Sequence, residues 1–169
     1  MKAHSSLDSK RLHLRHWQES DFDHYADYYA EAATSQYVGG PCDRVHAWRR
    51  FASEIGHWTL RGYGFYLVEE KESGQFVGSV GLWFPEGWPE IELGYWLHPG
   101  AQGRGYATEA GLRVRQHAYE DLGLTTLIST IHPDNVASKK VAERLGARFE
   151  AAIDLAQFGP HEVFRHPSA

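Results

Sequence analysis

A short segment with two glycines, Gln102 to Thr108, combines the features that main-chain binding of an anion requires. Gly103 and Gly105 allow backbone angles and a close ligand approach that a Cβ would prevent, and Ala107 is small enough for a ligand to lie against a first helical turn. Arg104 adds a positive charge. Successive N–H groups, together with the positive end of a helix dipole, would form a concave site that suits a pyrophosphate.

This segment also has other interpretations. Glycines often make a tight strand-to-helix turn without any ligand, and spacing alone leaves that alternative open. Two better-known phosphate loops fit less well. No Gly-Lys-Ser/Thr ending follows, as a nucleoside triphosphatase needs, and Thr108 stands where a dinucleotide fingerprint has its third glycine.

Glu92 has the residue type and the setting for proton transfer. It lies in an otherwise apolar stretch from Ile91 to Leu97, where a carboxylate that faces a cleft could accept a proton directly or through water. Strand alternation leaves open that Glu92 faces solvent instead. Asn135 follows a Pro-Asp pair and is typical of a helix N-cap, a role that is compatible with contact to a ligand.

The composition limits the classes of function. A formal net charge of −5 over 169 residues argues against the broad basic surface that nucleic-acid binding needs. Cys42 is the single cysteine, so an intramolecular disulfide is excluded, and the 11 histidines include no His-Glu-x-x-His pattern, so no metal is expected. No apolar run approaches the roughly 20 residues of a membrane span, and no apolar stretch of signal-peptide length follows the first basic residue. We therefore expect a cytoplasmic protein without a membrane partner.

Local patterns predict the elements of the first half. Residues 1–10 show neither the helical nor the strand spacing of apolar residues and are predicted to be a flexible tail. This leaves a single domain over residues 11–166. Alternation predicts a strand at Arg11–Arg15, and Asp21 helps to begin a helix that runs through Ala32. Asp43 caps a second helix with a stripe of apolar residues that is expected to be mostly core. That stripe contains Val45, Trp48, Phe51, Ala52, Ile55 and Trp58.

The second half changes from a hairpin to alternating strands and helices. Strands are predicted at 62–70 and 76–84 around the turn at Ser73-Gly74, and a third at 90–97 after the Pro85–Pro89 break. A helix over 106–122, a strand over 125–131, a helix over 135–145 and strands near 149–155 and 163–165 complete the chain. This order predicts an α/β fold with a mixed sheet and a right-handed crossover between parallel strands. Gly94 in mid-strand indicates a bulge or a close backbone approach, with a packing glycine as the alternative.

Two segments in combination carry a resemblance to a known family. Gln102-x-x-Gly105-x-Ala107, after the strand Glu92 to Leu97, resembles the acetyl-coenzyme A loop of the GNAT N-acetyltransferases. The stretch from Asn135 to Ala147 resembles the second cofactor segment of that superfamily. Its Asn-x-x-Ser form is most similar to the RimJ/RimL branch, which acetylates ribosomal-protein N-termini. The order of elements from Arg11 to Arg165 is similar to the whole GNAT fold.

The resemblance implies a fold and a set of site residues. The fold would be a single-domain α/β (α+β) structure with a mixed, mostly antiparallel sheet, one splayed parallel pair and helices on both faces. Backbone groups around Leu97 would pair with the pantetheine arm of acetyl-CoA, and Asn135 would bind it from the other side. Glu92 would be the general base, and Ser138 would lie near the thioester sulfur. The pyrophosphate would bind Gln102, Gly103, Arg104, Gly105, Tyr106, Ala107 and Thr108.

One position departs from the family pattern. Many GNAT enzymes have a tyrosine as general acid four residues after the position of Ser138, and here that residue is Ala142. Ser138 is then the best remaining partner for the leaving sulfur, although a serine in a first helical turn is often a local cap. The resemblance implies direct acetylation of a primary amine, at a peptide N-terminus or on a small molecule, by a monomer or homodimer. A non-catalytic acyl-CoA-binding module and a different nucleotide-binding α/β enzyme are the alternatives.

Overall fold

An eight-stranded sheet in the order β1-β2-β3-β4-β5-β6-β8-β7 organises the fold in the computed structural model, which describes residues 6–169. Only β5 and β6 are parallel, and every other neighbouring pair is antiparallel. The strands are β1 (Leu7–Asp8), β2 (Leu12–Arg15), β3 (Phe65–Glu70), β4 (Phe76–Trp83), β5 (Glu92–Leu97), β6 (Ile128–Ile131), β7 (Arg148–Asp154) and β8 (Pro160–Arg165). The predicted mixed sheet with one parallel pair is confirmed.

Helices cover both faces of this sheet, as predicted. They are α1 (Phe22–Ala30), α2 (Ala32–Ser35), α3 (Arg44–Arg61), α4 (Tyr106–Glu120) and α5 (Val136–Arg144). Strand alternation separates two cores, since Val68 of β3 packs with the α4 side chains and its neighbour Leu67 packs with those of α1 and α3. A third, smaller cluster contains Ala142 of α5 and Phe164 of β8.

The parallel strands β5 and β6 touch at one end and then diverge. Glu92 and Ile128 form their single register pair, supported by a hydrogen bond from the Ile128 N–H to the Ile91 carbonyl at 3.1 Å. Beyond that pair, the edge of β5 has no strand beside it on the β6 side. This divergence opens the sheet at the point where the candidate site residues lie.

The N-terminal prediction is wrong where the structure describes it. Leu7 and Asp8 form β1, which pairs with β2, and the Leu7 side chain is only 2% exposed. A strand of two residues is too short for its alternation to be visible in the sequence, but pairing with β2 buries the leucine. The first five residues of the predicted flexible tail lie outside the described residues.

The apolar stripe predicted for α3 is only partly buried, since Phe51 and Trp58 lie in the core and its other four residues do not. Asp43 caps this helix as predicted, accepting a hydrogen bond from the His46 N–H at 2.8 Å. However, Val45 and Trp48 are 63% and 44% exposed, and Ala52 and Ile55 are also exposed. The buried face consists of Ala47, Phe51, Glu54, His57 and Trp58. The sequence does not reveal this face because two of its buried positions hold polar residues, Glu54 and His57, where a buried helix face usually has apolar ones.

Other boundaries differ by a few residues. The first helix ends at Ala30 instead of Ala32, because Glu31 is extended with φ of −109° and a separate short helix follows. The strand expected from residue 62 begins at Phe65, since Gly62 ends α3 in the left-handed conformation with φ of 79°. The strand expected from residue 125 begins at Ile128.

Candidate active site

The glycine loop, defined as Gln102 to Thr108, leaves a row of main-chain donors free. Gly103 and Gly105 have φ of 77° and 78°, and Gly105 is the N-cap of α4. The first helical hydrogen bond runs from the Glu109 N–H to the Gly105 carbonyl at 3.0 Å. Within residues 6–169, the N–H groups from Gly103 to Thr108 donate no hydrogen bond to a protein acceptor. These donors and the positive end of the α4 dipole can bind an anion such as a diphosphate.

The charge of Arg104 is directed away from that row of donors. Its guanidinium lies over the Tyr106 ring at 4.7 Å and donates to Glu70 Oε1 at 2.7 Å. The Tyr106 hydroxyl donates to the same carboxylate, while its ring is fully buried in the core. Hydrogen bonds from Ser73 and Tyr106, with the nearby Arg104 charge, hold the pKa of Glu70 below its usual value. The anion-binding capacity of the loop therefore comes mainly from its main chain.

A cleft of about 790 Å³ lies beside the diverging strands, between β5, β6, α1, α3 and the segment Gln36–Gly40. It brings together the predicted residues Glu92, Asn135 and Ser138. Neither Leu97 nor any residue of the glycine loop lines it, so the predicted residues form two groups. The aromatic lining consists of Tyr25, Tyr29, Tyr37, Phe65, Trp83, Trp88, Tyr95, Trp96 and Phe158.

Glu92 faces this cleft, so the solvent-facing interpretation is wrong. Its Oε2 accepts hydrogen bonds from Trp88 Nε1 at 2.5 Å and from the Thr130 hydroxyl at 2.8 Å. No described side chain donates to Oε1. Burial raises the pKa of Glu92, and hydrogen bonds from Trp88 and from the Thr130 side chain and backbone partly oppose that rise. A carboxylate with one oxygen fixed and the other open to a cleft has the arrangement of a general base.

Gly94 keeps the space beside this carboxylate open. A Cβ on Gly94 would lie 2.6 Å from Phe65 Cζ and 3.7 Å from Glu92 Oε1. The pairing of β4 with β5 is regular through Gly81 and Gly94. The predicted bulge is therefore wrong, and close packing against Phe65 explains the glycine.

Asn135 and Ser138 form the cap of α5. The Asn135 Oδ1 accepts from the Ser138 N–H at 3.2 Å, as the N-cap interpretation predicts. The Ser138 carbonyl accepts from the Tyr95 hydroxyl at 2.8 Å, which joins β5 to α5 across the gap between the strands. Tyr95 was not predicted as a site residue, because nothing in its local sequence indicates that its hydroxyl reaches a distant helix.

A second carboxyl group in the cleft was also missed. Glu54 of α3 is only 7% exposed and accepts from the Tyr25 hydroxyl at 2.7 Å through Oε1. Its Oε2 is buried and has no hydrogen-bond partner in the described structure. Burial raises the pKa of Glu54 to about 7. The available signal was a glutamate three residues after Phe51 and four before Trp58, on the face that those two residues bury.

Comparison with known proteins decides the family. The model of the acetyltransferase (GNAT) domain matches residues 11–148. This chain belongs to the GNAT acetyltransferases. It is 35% identical to an acetyltransferase of known structure from Agrobacterium tumefaciens, with 96% of this chain and 94% of the other covered and a TM-score of 0.88. It is also 22% identical to the uncharacterized N-acetyltransferase YnaD of Bacillus subtilis, over 85% of this chain and 83% of the relative.

RimL-type enzymes are among the structural neighbours of this GNAT protein. RimL, a ribosomal L7/L12 α-N-protein acetyltransferase solved with coenzyme A, superposes with a TM-score of 0.77. It is 21% identical, with 96% of each chain covered, so the likeness is one of fold. The predicted GNAT domain is confirmed, and the predicted RimJ/RimL branch is consistent with these neighbours. The protein is an acyltransferase.

The described part of this GNAT domain contains neither a cluster of metal-ligating side chains nor a helix that could span a membrane. Among residues 6–169, no group of three or more histidine, cysteine, aspartate or glutamate side chains is placed to hold a metal ion. No helix in the same range combines the length and apolarity needed to cross a bilayer.

Proposed function

We propose that this protein transfers an acetyl group from acetyl-CoA directly to a primary amine, on a peptide N-terminus or a small molecule. The observation that carries the proposal is the half-buried Glu92 carboxylate, which lines the cleft beside the gap between β5 and β6. Acetyl-CoA, when bound, supplies the activated acyl group. The sequence-based expectations of a cytoplasmic location and of a monomer or homodimer remain predictions.

Acetyl-CoA fits the residues that surround this gap. The N–H groups from Gly103 to Thr108 would bind the diphosphate, because no described protein group satisfies them. The free edge of β5 near Leu97 would pair with the amides of the pantetheine arm. Asn135 and Ser138 lie on the other side of the gap, at the start of α5.

The residues of the cleft have complementary roles. Glu92 would accept the proton of the incoming ammonium, directly or through a water molecule, since a neutral amine is required for attack. Thr130 and Trp88 hold its Oε2, so that Oε1 faces the acceptor. The Ser138 hydroxyl would donate a hydrogen bond at the leaving sulfur, because Ala142 provides no phenol.

Release of free thiol from acetyl-CoA, measured with a panel of amines and peptides, tests this function. We expect turnover with at least one acceptor, and we expect Glu92→Gln to lower kcat by about 10²–10⁴-fold while sparing coenzyme A affinity. Glu72→Gln, an exposed carboxylate in the β3–β4 turn, is the matched control. Saturable coenzyme A binding without turnover on any acceptor would favour a non-catalytic module.

A thermal-shift comparison separates the proposal from another nucleotide-binding enzyme. Coenzyme A should raise the unfolding midpoint more than NAD or ATP at equal concentration, because a ligand stabilises the folded state according to its affinity. A larger shift with NAD or ATP would contradict acetyl-CoA as the co-substrate.

A further inference from the structure

Glu92 and Glu54 approach the cleft from the same side of the sheet. Side chains alternate along β5, so Glu92 lies on the same face of the sheet as Trp96, which is four residues later in the strand. Trp96 packs with Tyr25 and Tyr29 of α1, with ring centroids 6.2 and 6.3 Å apart. Tyr25 in turn donates to Glu54. Both carboxyl groups therefore border one space, on the face that α1 and α3 cover.

The positive charge closest in sequence, Arg50, lowers the pKa of Glu54 at a distance but forms neither an ion pair nor a hydrogen bond with it. Arg50, one turn earlier on α3, donates to the carbonyls of Gly39 and Gly40 at 2.9 and 2.8 Å. Its guanidinium also lies over the Tyr29 ring at 5.0 Å. None of the described ion pairs involves Glu54. The glutamate thus has one hydrogen-bond donor, Tyr25, and one unsatisfied oxygen.

We propose that the acceptor carries a second positive group, separate from the amine that reacts, and that the Glu54 carboxylate binds this group. The substrate class is therefore a primary amine with an additional ammonium or guanidinium. This inference rests on the proposed function, whose cleft and reacting end it shares.

Two physical arguments support a cation in this position. A buried carboxylate oxygen without a donor is unfavourable, and a ligand ammonium would provide both the donor and the opposite charge. The wall beside Glu54 is aromatic, and its Tyr29 ring already has one cation over it, the Arg50 guanidinium at 5.0 Å, as ring quadrupoles favour. A neutral donor in the same place would satisfy the oxygen but not the negative charge, and an anionic group would repel it.

Direct binding tests the inference independently of turnover. Isothermal titration calorimetry on the full-length protein, saturated with coenzyme A, would compare α,ω-diamines of increasing chain length with monoamines of the same length. We expect the best diamine to bind about tenfold or more tightly than its matched monoamine, as one charge-assisted hydrogen bond predicts. Glu54→Gln should remove that preference and change monoamine affinity by less than about twofold.

Two further variants keep the result interpretable. Glu54→Asp retains the charge on a shorter side chain, so the diamine preference should persist with its optimum at a longer chain. Glu72→Gln removes an equal charge from an exposed turn and should change neither the diamine affinity nor the monoamine affinity. Each variant is first shown to unfold cooperatively, and the wild-type comparison of diamine with monoamine does not depend on any variant.

The possible outcomes distinguish the inferred cation site from the proposed acetyltransferase reaction. Equal affinity for diamines and monoamines in the wild type would overturn the inference, as would a diamine preference that Glu54→Gln leaves intact. Turnover of monoamines without any diamine preference would leave the proposed acetyltransferase standing and reject only the second positive group. Diamine binding without turnover would support the site and reject the proposed reaction.

Discussion

Two carboxyl groups in one cleft differ in how many hydrogen bonds they receive, and that difference determines their chemistry. Glu92 receives two donors on one oxygen, which favours its ionised form against the effect of burial. Burial raises the pKa of Glu54 to about 7, because its single hydrogen bond from the Tyr25 hydroxyl and the nearby Arg50 charge oppose only part of that effect. The hydrogen bonds to Glu92 therefore favour its proton-accepting form, whereas Glu54 gains a second donor and a matching charge only when a cation approaches.

Thr130 should tune the pH dependence of the reaction. Thr130→Val removes a hydrogen bond to the ionised Glu92 carboxylate without changing side-chain shape, so the pKa of Glu92 should rise further. Because the base must be ionised, the acid limb of the kcat/KM profile should move to higher pH, by about one unit. Thr125→Val, at an exposed threonine ahead of β6, is the control. An unchanged acid limb in Thr130→Val would argue against Glu92 as the base.

Glu54 should lower stability as pH rises. Its pKa in the folded state is about 7, above its value of 4.5 outside the fold, so the native protein holds a proton that the unfolded chain releases. Stability therefore falls between about pH 4 and pH 8, by about 3 kcal/mol from this group. Glu54→Gln has no such proton, so the wild type should lose stability relative to the variant over that range. Urea unfolding of both proteins across the range measures the difference, and parallel curves would contradict it.

At the scale of elements, the start of α4 depends on a left-handed glycine. Gly105 has φ of 78°, and a Cβ there would meet only Arg11 Nη2 at 3.6 Å, so backbone conformation rather than space restricts the position. Gly105→Val should destabilise the fold by about 1–3 kcal/mol and turn the N–H groups of the loop out of alignment. Coenzyme A affinity, measured by calorimetry, should be lost.

Gly123, which follows the other end of α4, provides a matched comparison. Its φ is 69° and a Cβ would meet nothing within 4 Å, so Gly123→Val imposes a similar strain far from the loop. Its stability should fall comparably while coenzyme A affinity is retained. Equal loss of affinity in both variants would mean that strain in α4, and not the loop geometry, explains the effect.

The sequence predicts an element correctly where residues within a few positions of each other specify it. The β3–β4 hairpin, the loop before α4 and the caps at Asp43 and Asn135 follow from turn and capping residues within a few positions. The buried face of α3 did not follow, because a hydrogen bond from Tyr25 allows Glu54 to replace an apolar residue. Alternation alone also could not decide which face Glu92 occupies, since that depends on the divergence of β6.

At the scale of the whole molecule, the sheet consists of two parts that meet at one parallel residue pair. The first part contains β1 to β5 with α1 to α4, and the second contains β6, β8 and β7 with α5. Besides the Glu92–Ile128 pair, side-chain bonds such as Tyr95 to Ser138 and Thr130 to Glu92 join them. The glycine loop belongs to the first part, and Asn135 and Ser138 belong to the second. A ligand that binds both groups must bridge the gap.

Hydrogen exchange with and without coenzyme A measures that bridging. The N–H groups from Gly103 to Thr108 should exchange fast in the free protein, because no described acceptor protects them. Saturation with coenzyme A should slow them about tenfold or more, as bonds to a charged acceptor predict. Exchange at the start of α5 should slow as well, while the far ends of β7 and β8 should not change. Protection of the loop alone would mean that the ligand does not span the gap, and protection at α5 alone would place the diphosphate away from α4.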